Sequence, residues 1–393
     1  MKKVVLLNPW CPAVRNPRTL RMEMVRKALE HDFEVSILCC TSKAVRTLDE
    51  GEPVRSSLFN WPLVRMWKVF QYCVNTVAFP DAYFFHSLRL LVKLWNVAKH
   101  ENVCVISFSP PFSTHLAACV FRKYHPASFW IADVGDLYHK NPTSVLLPVF
   151  RPMQRIFQIN LLGKADRLVF NSKGIQERMI QENKLDKKKC KLIYNGSSVD
   201  FSGLDSIKET SIRFLYAGST YARLREGLWE MEILSEILII LQDRGFEAKI
   251  RLAGRQCEKL IDQYAQEKKV QMIHHSNRDK LISLYRHADF LICFSNGDYP
   301  GLPSKLCEYR ASGLPIICFA EGPLEAALDY LSDYEPWFPF ISGKTRLEDL
   351  LEFIMAHRSK GILANHEEDQ MIGQQWRELL FNSSKNGNTF LKV

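Results

Sequence analysis

The residues best suited to chemistry lie in the stretch GLPSKLCEYRASGLPII, residues 301–317. A Gly-Leu-Pro turn leads directly to Ser304 and Lys305, and Glu308 follows one helical turn later. The first turn of a helix offers unpaired backbone N–H groups and the positive end of the helix dipole, which attract phosphate. Lys305 adds a point charge for the same anion, and Glu308 could accept hydrogen bonds from two sugar hydroxyls. The pattern fits a nucleotide-sugar site and, equally well, a surface ion pair after a proline turn.

A second candidate for phosphate binding is FLYAGSTYARLREG, residues 214–227. A strand ends at Gly218, where the missing side chain lets the backbone approach a ligand closely. Arg223 and Arg225 follow before the next helical stretch, and an arginine fork suits a diphosphate. Taken alone, these arginines are better explained as solvated side chains at a helix entrance. Two phosphate-directed patterns at strand ends of one half of the chain favour a shared ligand.

The elements that position these residues are short apolar strands alternating with amphipathic helices along the whole chain. Strand–helix alternation with near-continuous Val, Ile and Leu strands predicts parallel sheets covered on both faces. We therefore predict an α/β fold with two doubly wound Rossmann-like domains that face each other across a cleft, where ligands would bind. The predicted domains are 1–200 for the acceptor and 201–370 for the nucleotide-sugar, and the helix and tail 371–393 could return to the N-terminal domain.

Charge is divided unevenly along the chain of 393 residues, whose net charge is +9. Residues 1–200 hold 29 Lys and Arg against 16 Asp and Glu, a balance of +13, whereas the remaining residues hold 23 against 27, a balance of −4. This asymmetry indicates different partners for the two halves. No nucleic-acid-binding motif is present, so an anionic membrane surface or a phosphate-bearing substrate fits the basic half better.

The cysteine and hydropathy patterns indicate which cellular compartment the sequence suits. The eleven cysteines are scattered, with Cys39 and Cys40 adjacent and no C-x-x-C spacing, so we expect no metal site and favour a reducing, cytoplasmic environment. No apolar run approaches the roughly 18 residues of a membrane span. The start MKKVVLLNPW reads as a first β-strand, because its apolar stretch is too short for a signal peptide.

The ordered set of motifs resembles GT-B glycosyltransferases close to family 4, the retaining enzymes that use nucleotide-activated sugars. The resemblance covers about residues 1–360 and rests on the order of its pieces rather than on any one of them. The pieces are NPWCPAVRNPRTLRMEMVRKALEHDFEVSIL, ADRLVFNSKGIQERM, LIYNGSSVDF, YAGS…REG, RLAG and HHSNRDKLISLYRHADFLICFS followed by PSKLCEYRASGLPII.

The resemblance implies roles on the donor side. Arg225, together with Arg223, and Lys305 would hold the diphosphate of the donor. Glu308 matches the second glutamate of the family's E-x7-E motif and would bind the ribose. The remaining positions, which would line the phosphate and sugar, are Gly218, Gly301, Leu302 and Ser304.

The chain departs from the family pattern at two positions. Pro300 stands where the first glutamate of the E-x7-E motif belongs, and Glu226 stands where a lysine commonly follows the arginine. We interpret the first departure as altered sugar recognition rather than lost activity, because the PSK version of the motif recurs in a subgroup of the family. The sequence does not identify the donor sugar.

On the acceptor side, ISFSPPFSTHLAAC and FWIADVGDLYHKNP resemble strand ends of the same subgroup. His115 lies near a helix start, where the dipole disfavours a charged imidazole, and a neutral ring could hydrogen-bond the transferred sugar. A capping or packing residue is the alternative. Asp136 could orient an acceptor hydroxyl, whereas Asp133 is also explained as the end of its strand. Arg18 and Arg21 would face the cleft, although a solvated helix face accounts for them nearly as well.

Residues 61–100 combine aromatic side chains with Arg and Lys. Tryptophan and cationic side chains prefer the headgroup zone of a bilayer, and a basic amphipathic helix can lie in that plane. A helix packed on the domain core is the alternative. Beside the basic N-terminal half, the pattern predicts peripheral contact with the inner face of a membrane.

These observations predict a cytoplasmic hexosyltransferase without a metal or other cofactor, transferring a sugar with retention from a nucleotide-sugar to a saccharide or lipid-linked acceptor in cell-surface polysaccharide synthesis. We expect no nucleic-acid partner. One rival on the same architecture is an inverting transferase or a nucleotide-sugar epimerase, which needs a general base at the cleft. Another is a non-catalytic relative that only binds a membrane or a partner, for which Pro300 is the best argument.

Overall fold

The structure is a computed structural model that describes most of the chain. The described residues are 2–14, 16–40, 79–81, 83–98, 101–141, 148–207, 209–221, 224–273, 278–322, 326–365 and 367–385. Outside them lie Arg223, the tail from residue 386, and residues 61–78, 82 and 99–100 of the aromatic and basic stretch.

The chain forms two compact units. Unit 1 comprises Met1–Tyr194 and Met371–Val393, and unit 2 comprises Asn195–Gln370. Unit 2 is therefore continuous in sequence, whereas the end of the chain belongs to unit 1.

Unit 1 is built on a parallel six-stranded sheet with the order β2-β1-β3-β4-β5-β6. Its strands are β1 (Lys3–Leu7), β2 (Glu34–Leu38), β3 (Cys104–Ser109), β4 (Phe129–Val134), β5 (Arg167–Phe170) and β6 (Cys190–Leu192). Its helices are α1 (Pro17–Leu29), α2 (Phe84–Val97), α3 (Ser113–Tyr124), α4 (Arg151–Leu162) and α5 (Lys173–Asn183), with short 3-10 turns at Pro148–Phe150 and Lys187–Lys189.

Strand burial in unit 1 follows the order of the sheet. Every residue of β3 and β4 is buried, as expected for central strands covered on both faces, while the edge strand β2 is largely half-exposed. Val4 pairs with Val35 on one side of β1 and with Cys104 on the other. The continuous apolar runs of the sequence are thus the middle of the sheet.

The last described helix, α12, begins in unit 2 and ends in unit 1. It spans Glu367–Lys385, and its Trp376 is fully buried in the unit 1 core. That core also holds Met22 and Val25 of α1. The C-terminal segment is therefore part of the first unit's interior.

Unit 2 is built on a second parallel six-stranded sheet, with the order β12-β11-β10-β7-β8-β9. Its strands are β7 (Ile212–Ala217), β8 (Ala248–Ala253), β9 (Val270–Ile273), β10 (Phe290–Cys293), β11 (Ile316–Ala320) and β12 (Trp337–Ile341). Its helices are α6 (Leu228–Asp243), α7 (Glu258–Tyr264), α8 (Arg278–Arg286), α9 (Lys305–Ser312), α10 (Ala326–Leu331) and α11 (Leu347–His357).

The predicted fold class, α/β with two doubly wound Rossmann-like units, is confirmed. In unit 2 the first strand, β7, lies between β8 and β10, so the chain winds outward in both directions from β7. In such sheets ligands bind beyond the carboxyl ends of the strands at this reversal. The segments after β7 and β10 hold the two phosphate-directed motifs of the sequence.

A disulfide joins Cys11 to Cys39 in unit 1, and the other described cysteines are free thiols. Sequence spacing gave no sign of this pair, which lies 28 residues apart. The two cysteines follow the carboxyl ends of the paired strands β1 and β2, and the parallel pairing brings them together. The bond is at odds with the reducing setting that the cysteine pattern favoured.

Among the described helices, none combines the length and the apolar character needed to cross a bilayer.

Candidate functional site

The first turn of α9 carries an ion pair at the reversal of the unit 2 sheet. Lys305 Nζ lies 2.8 Å from Glu308 Oε2. The glutamate is 4% exposed and the lysine side chain is 34% exposed, so the positive charge faces outward from a buried carboxylate. An anion that approached the helix N-terminus would meet the ammonium group first.

The carboxylate of Glu308 is fixed by two further hydroxyl groups. Tyr285 donates a hydrogen bond of 2.9 Å to Oε2, and the Ser198 hydroxyl bonds Oε1. Burial and the charge of Glu308 raise the pKa of Tyr285 well above its usual range, so the phenol keeps its proton. The position of the carboxylate is therefore set before any ligand arrives.

Arg225 is tied to the loop that precedes α9 through Asn296. Its guanidinium donates from Nε to Asn296 Oδ1 at 2.9 Å, and the Nη2 group bonds the same oxygen. The Asn296 amide in turn donates to the Gly301 carbonyl at 2.8 Å. The loops after β7 and β10 are thus joined by one side chain, which brings Arg225 to the loop that enters the helix of Lys305.

The backbone of Gly301 lies against the ring of Tyr299. A Cβ atom at this position would lie 2.3 Å from the ring of Tyr299, much closer than two carbon atoms can approach. Leu302, Pro303 and Ser304 then lead into α9, and the Ser304 side chain makes no capping hydrogen bond.

Gly218 follows β7 directly. Its carbonyl accepts a hydrogen bond of 3.2 Å from the Gln256 side chain, which belongs to the loop after β8. The structure therefore brings three strand-end loops of unit 2 together through Gln256 and Asn296. Of the predicted donor-side residues, only Arg223 lies outside the described part of the chain.

Sequence analysis missed Ser198, Tyr285 and Asn296. These residues come from the first turn of unit 2, from α8 and from the loop after β10. Their spacing along the chain carries no signal, because only the packing of α8 and α9 against the sheet brings them to Glu308 and Arg225.

In unit 1, Arg21 and Asp133 form a fully buried pair. Arg21 Nε donates to both carboxylate oxygens, at 3.0 and 2.8 Å, and its terminal nitrogens bond the carbonyl groups of Ile193 and Tyr194. Neither side chain has measurable exposure. Their charges bind each other and the backbone inside the unit, and their acceptor-side role stays a prediction.

Arg18 and Asp136, by contrast, reach the surface. Arg18 Nη2 lies 2.5 Å from Asp136 Oδ2, and the side chains are 11% and 29% exposed. The guanidinium lies directly over Gly135, where a Cβ atom would approach it within 1.8 Å. These two residues keep the acceptor-side role as a prediction.

His115 is buried near the N-terminus of α3. Its Nδ1 lies 2.8 Å from Ser107 Oγ, and that oxygen accepts a hydrogen bond of 2.8 Å from the Trp130 indole. Burial lowers the pKa of His115 to about 3, so the imidazole is neutral. The ring has no exposed surface, and its Nε2 is without a hydrogen-bond partner among the described residues. A contact with sugar stays a prediction.

Within the described residues, no group of three or more His, Cys, Asp or Glu side chains is arranged to hold a metal ion.

One known protein family matches part of unit 2 by sequence. The family model described as Glycosyl transferases group 1 matches residues 232–334. The match covers 103 of the 393 residues, and we call it the group 1 segment. The group 1 segment contains Tyr285, Asn296, Lys305 and Glu308, whereas Arg225 and Ser198 lie before it.

Solved structures share the fold over almost the whole chain. Sucrose-phosphate synthase from Thermosynechococcus elongatus is 13% identical with a TM-score of 0.61, and covers 96% of this chain and 94% of its own. The apo form of the lipopolysaccharide outer core galactosyltransferase WaaB is 12% identical with a TM-score of 0.58, and covers 97% and 99%.

The catalytic domain of Starch Synthase IV from Arabidopsis thaliana, bound to ADP and acarbose, is 11% identical with a TM-score of 0.58, and covers 96% and 98%. At these identities the likeness establishes the GT-B fold around the group 1 segment and nothing finer. No curated protein matches the chain by sequence.

Proposed function

We propose that the protein is a glycosyltransferase that takes its sugar from a nucleotide-sugar donor. The observation that carries the proposal is the buried Glu308 paired with Lys305 at the N-terminus of α9, at the strand-order reversal of a group 1 segment. Such a site offers one cation for a diphosphate and one oriented carboxylate for a ribose. The ADP in the starch synthase neighbour supports a nucleotide as ligand.

Charge stabilisation is the main chemical contribution of this site. When the bond between sugar and diphosphate breaks, negative charge grows on the leaving diphosphate. Asn296 joins Arg225 to the loop that enters α9, and we propose that Arg225, Lys305 and the positive end of α9 together oppose that charge without a metal ion. We infer that Lys305 leaves Glu308 for the phosphate and that Glu308 then bonds the ribose hydroxyls.

We further propose a stereochemical course for the sugar transfer and a class of acceptor. The acceptor hydroxyl attacks from the face of the leaving group, a phosphate oxygen takes its proton, and the anomeric configuration of the hexose is retained. The acceptor is a saccharide, carried by a lipid, for a cell-surface polysaccharide. The basic N-terminal half supports this acceptor, because it suits an anionic membrane surface at the inner face of the membrane.

Ligand-induced stabilisation tests the donor site. Thermal unfolding of the full chain is followed with UDP-, GDP- and ADP-sugars, each at about 100 times its dissociation constant. A ligand that binds only the folded state then adds about 2.7 kcal/mol, which is roughly 5–10 °C for a unit of this size. The Lys305→Ala and Glu308→Gln variants should lose most of the shift.

The matched control is Lys249→Ala, which removes a lysine ion pair of 2.7 Å with Glu247 elsewhere in unit 2. It should keep the full shift. Equal shifts in Lys305→Ala and in the wild type would refute the proposed donor site.

Analysis of the reaction products distinguishes a retaining transferase from an inverting transferase, an epimerase and a non-catalytic relative. Incubation with the stabilising donor and an oligosaccharide or lipid-linked acceptor should give a new glycoside whose anomeric proton coupling matches that of the donor. Inverted coupling would replace retention by inversion, and conversion of the donor to its epimer would indicate an epimerase. Donor binding without any turnover would favour the non-catalytic relative, for which Pro300 is the sequence argument.

The redox state of the Cys11–Cys39 pair in cells tests whether the protein lies at the inner face of the membrane. A cytoplasmic compartment keeps such pairs reduced. Alkylation of thiols in intact cells, followed by mass spectrometry, should find both cysteines alkylated if the protein is cytoplasmic. Recovery of the disulfide would place it in an oxidising compartment.

A further inference from the structure

Helix α2 of unit 1 has a second apolar face in addition to the one it packs on the core. Its buried stripe contains Ser87, Leu90 and Leu94. On the opposite side, four apolar residues at spacings of three and four form what we name the outer face. These residues and their exposed fractions are Phe85 73%, Leu88 43%, Val92 61% and Trp95 37%. At 100° per residue, the two stripes lie roughly opposite each other.

Positive charge borders the outer face. Arg89 and Lys93 are exposed on the same helix, and α2 contains no acidic residue. At its C-terminal end, Trp95 contacts Tyr124 of α3 at a ring distance of 5.6 Å, and Tyr124 is 61% exposed beside Lys123. Aromatic rings and cations at the margin of an apolar face are typical of helices that lie in the headgroup zone of a membrane.

Helix α4, on the same side of the sheet, also combines exposed apolar side chains with exposed arginines. Helix α3 packs against both α2 and α4. Met153 and Ile156 of α4, together with Val149 just before it, form a second exposed apolar ridge. Arg151 and Arg155 are exposed on this helix, which also lacks acidic residues.

We propose that the outer face of α2, with the exposed ridge of α4, docks unit 1 on an anionic lipid bilayer. Apolar side chains enter the boundary between headgroups and acyl chains, and the arginines and lysines bind the lipid phosphates. A symmetric contact with a second copy is disfavoured, because it would bring Arg89 and Lys93 close to their own equivalents. This inference deepens the membrane part of the proposed function.

Vesicle sedimentation with the full chain tests the proposal. Vesicles of phosphatidylcholine with roughly 30% phosphatidylglycerol should bind the protein, pure phosphatidylcholine vesicles should bind it much less, and high salt should weaken the binding. Phe85→Gln with Val92→Gln should lower the partition coefficient at least about tenfold. Arg89→Glu should lower it by roughly the same factor.

The matched control is Ile239→Gln on α6 of unit 2, where an isoleucine is 59% exposed. It should bind vesicles like the wild type. All changed side chains point to solvent, so circular dichroism should show unaltered folding in every variant.

Three outcomes would overturn the proposal: no binding to anionic vesicles, equal binding by the outer-face variants and the wild type, or a wild-type dimer that the outer-face variants convert to a monomer. The readout is independent of the donor site. Lys305→Ala should bind vesicles normally, so a failure of the donor proposal and a failure of this one are distinguished.

Discussion

At the scale of single residues, the site of unit 2 is a carboxylate whose surroundings are complete before ligand arrives. Glu308 accepts hydrogen bonds from Tyr285, Ser198 and Lys305. A buried charge needs such partners, since an unpaired one would be expensive to keep out of water. Tyr285 is buried and Ser198 is uncharged, so the half-exposed ammonium group of Lys305 is the partner best suited to exchange Glu308 for a phosphate.

Titration of His115 provides a test of its burial. Its pKa falls from 6.5 to about 3 on folding, so between these pH values the unfolded chain binds a proton that the folded chain does not. The free energy of unfolding should therefore fall as the pH is lowered through this window, by about 1.4 kcal/mol per pH unit, and this contribution should be constant above it.

Urea unfolding at a series of pH values measures this slope. The variant His115→Asn should have a flatter profile below pH 6.5 than the wild type. Parallel profiles for the wild type and His115→Asn would show that the imidazole is not held neutral by burial.

Gly135→Ala tests the placement of Arg18. The added methyl group would occupy the position of the guanidinium, which should move away from Asp136 because it is the far end of a flexible side chain. We expect a change of less than about 1 kcal/mol in stability. If Arg18 binds the acceptor, kcat/KM for the acceptor should fall as it does in Arg18→Ala.

The double variant Arg18→Ala with Gly135→Ala provides the control. Its activity should equal that of Arg18→Ala alone, because the methyl group has nothing left to displace. Additive losses would mean that Gly135 acts on activity by another route.

At the scale of secondary-structure elements, both units depend on loops that follow parallel strands and therefore lie at the same edge of the sheet. The strand order of unit 2 puts the segments after β7 and β10 side by side, and a single asparagine joins them. The same geometry in unit 1 brings Cys11 and Cys39 together after β1 and β2. Strand-end loops far apart in sequence thus become neighbours in both units.

Helix α12 is an element whose removal should damage unit 1. Trp376 is fully buried in the core beside α1. Trp376→Ala should lower the free energy of unfolding by about 3–5 kcal/mol, a large share of what a domain possesses. Met371→Ala on the same helix, at a side chain 53% exposed, should change it little.

Denaturant unfolding followed by circular dichroism checks both variants. A loss below about 1 kcal/mol in Trp376→Ala would contradict the packing of α12 into the core, since buried large-to-small changes rarely cost so little.

At the scale of the whole molecule, the two units differ in how the chain builds them. Unit 2 is one continuous segment, and its two ends meet: the Ser197 backbone N–H donates to Asp369 at 2.8 Å. Glu368 also bonds Arg310 of α9 at 3.1 Å. Unit 1, in contrast, needs both the beginning and the end of the chain.

A fragment of residues 195–370 should therefore fold by itself and bind the nucleotide of the donor. Circular dichroism should show one cooperative transition, and calorimetry should detect nucleotide binding. A fragment that stops at residue 365 loses Glu368 and Asp369, so it should be less stable. Failure of the longer fragment to fold would show that unit 2 depends on unit 1.

The sequence by itself determined the fold class and the placement of Lys305 and Glu308 on one turn of a helix. Strand periodicity is a local property, and so is the spacing of Lys305 and Glu308 on one turn of a helix. Both could be read without knowing any contact between distant segments.

Tertiary structure alone decided which charges face solvent. Arg18 and Arg21 are three residues apart on one helix, yet one reaches the surface with Asp136 and the other is buried with Asp133. The roles of Tyr285, Asn296 and Trp376 were likewise invisible in the sequence. Burial and hydrogen bonding depend on which distant segments pack together, and local patterns do not specify that packing.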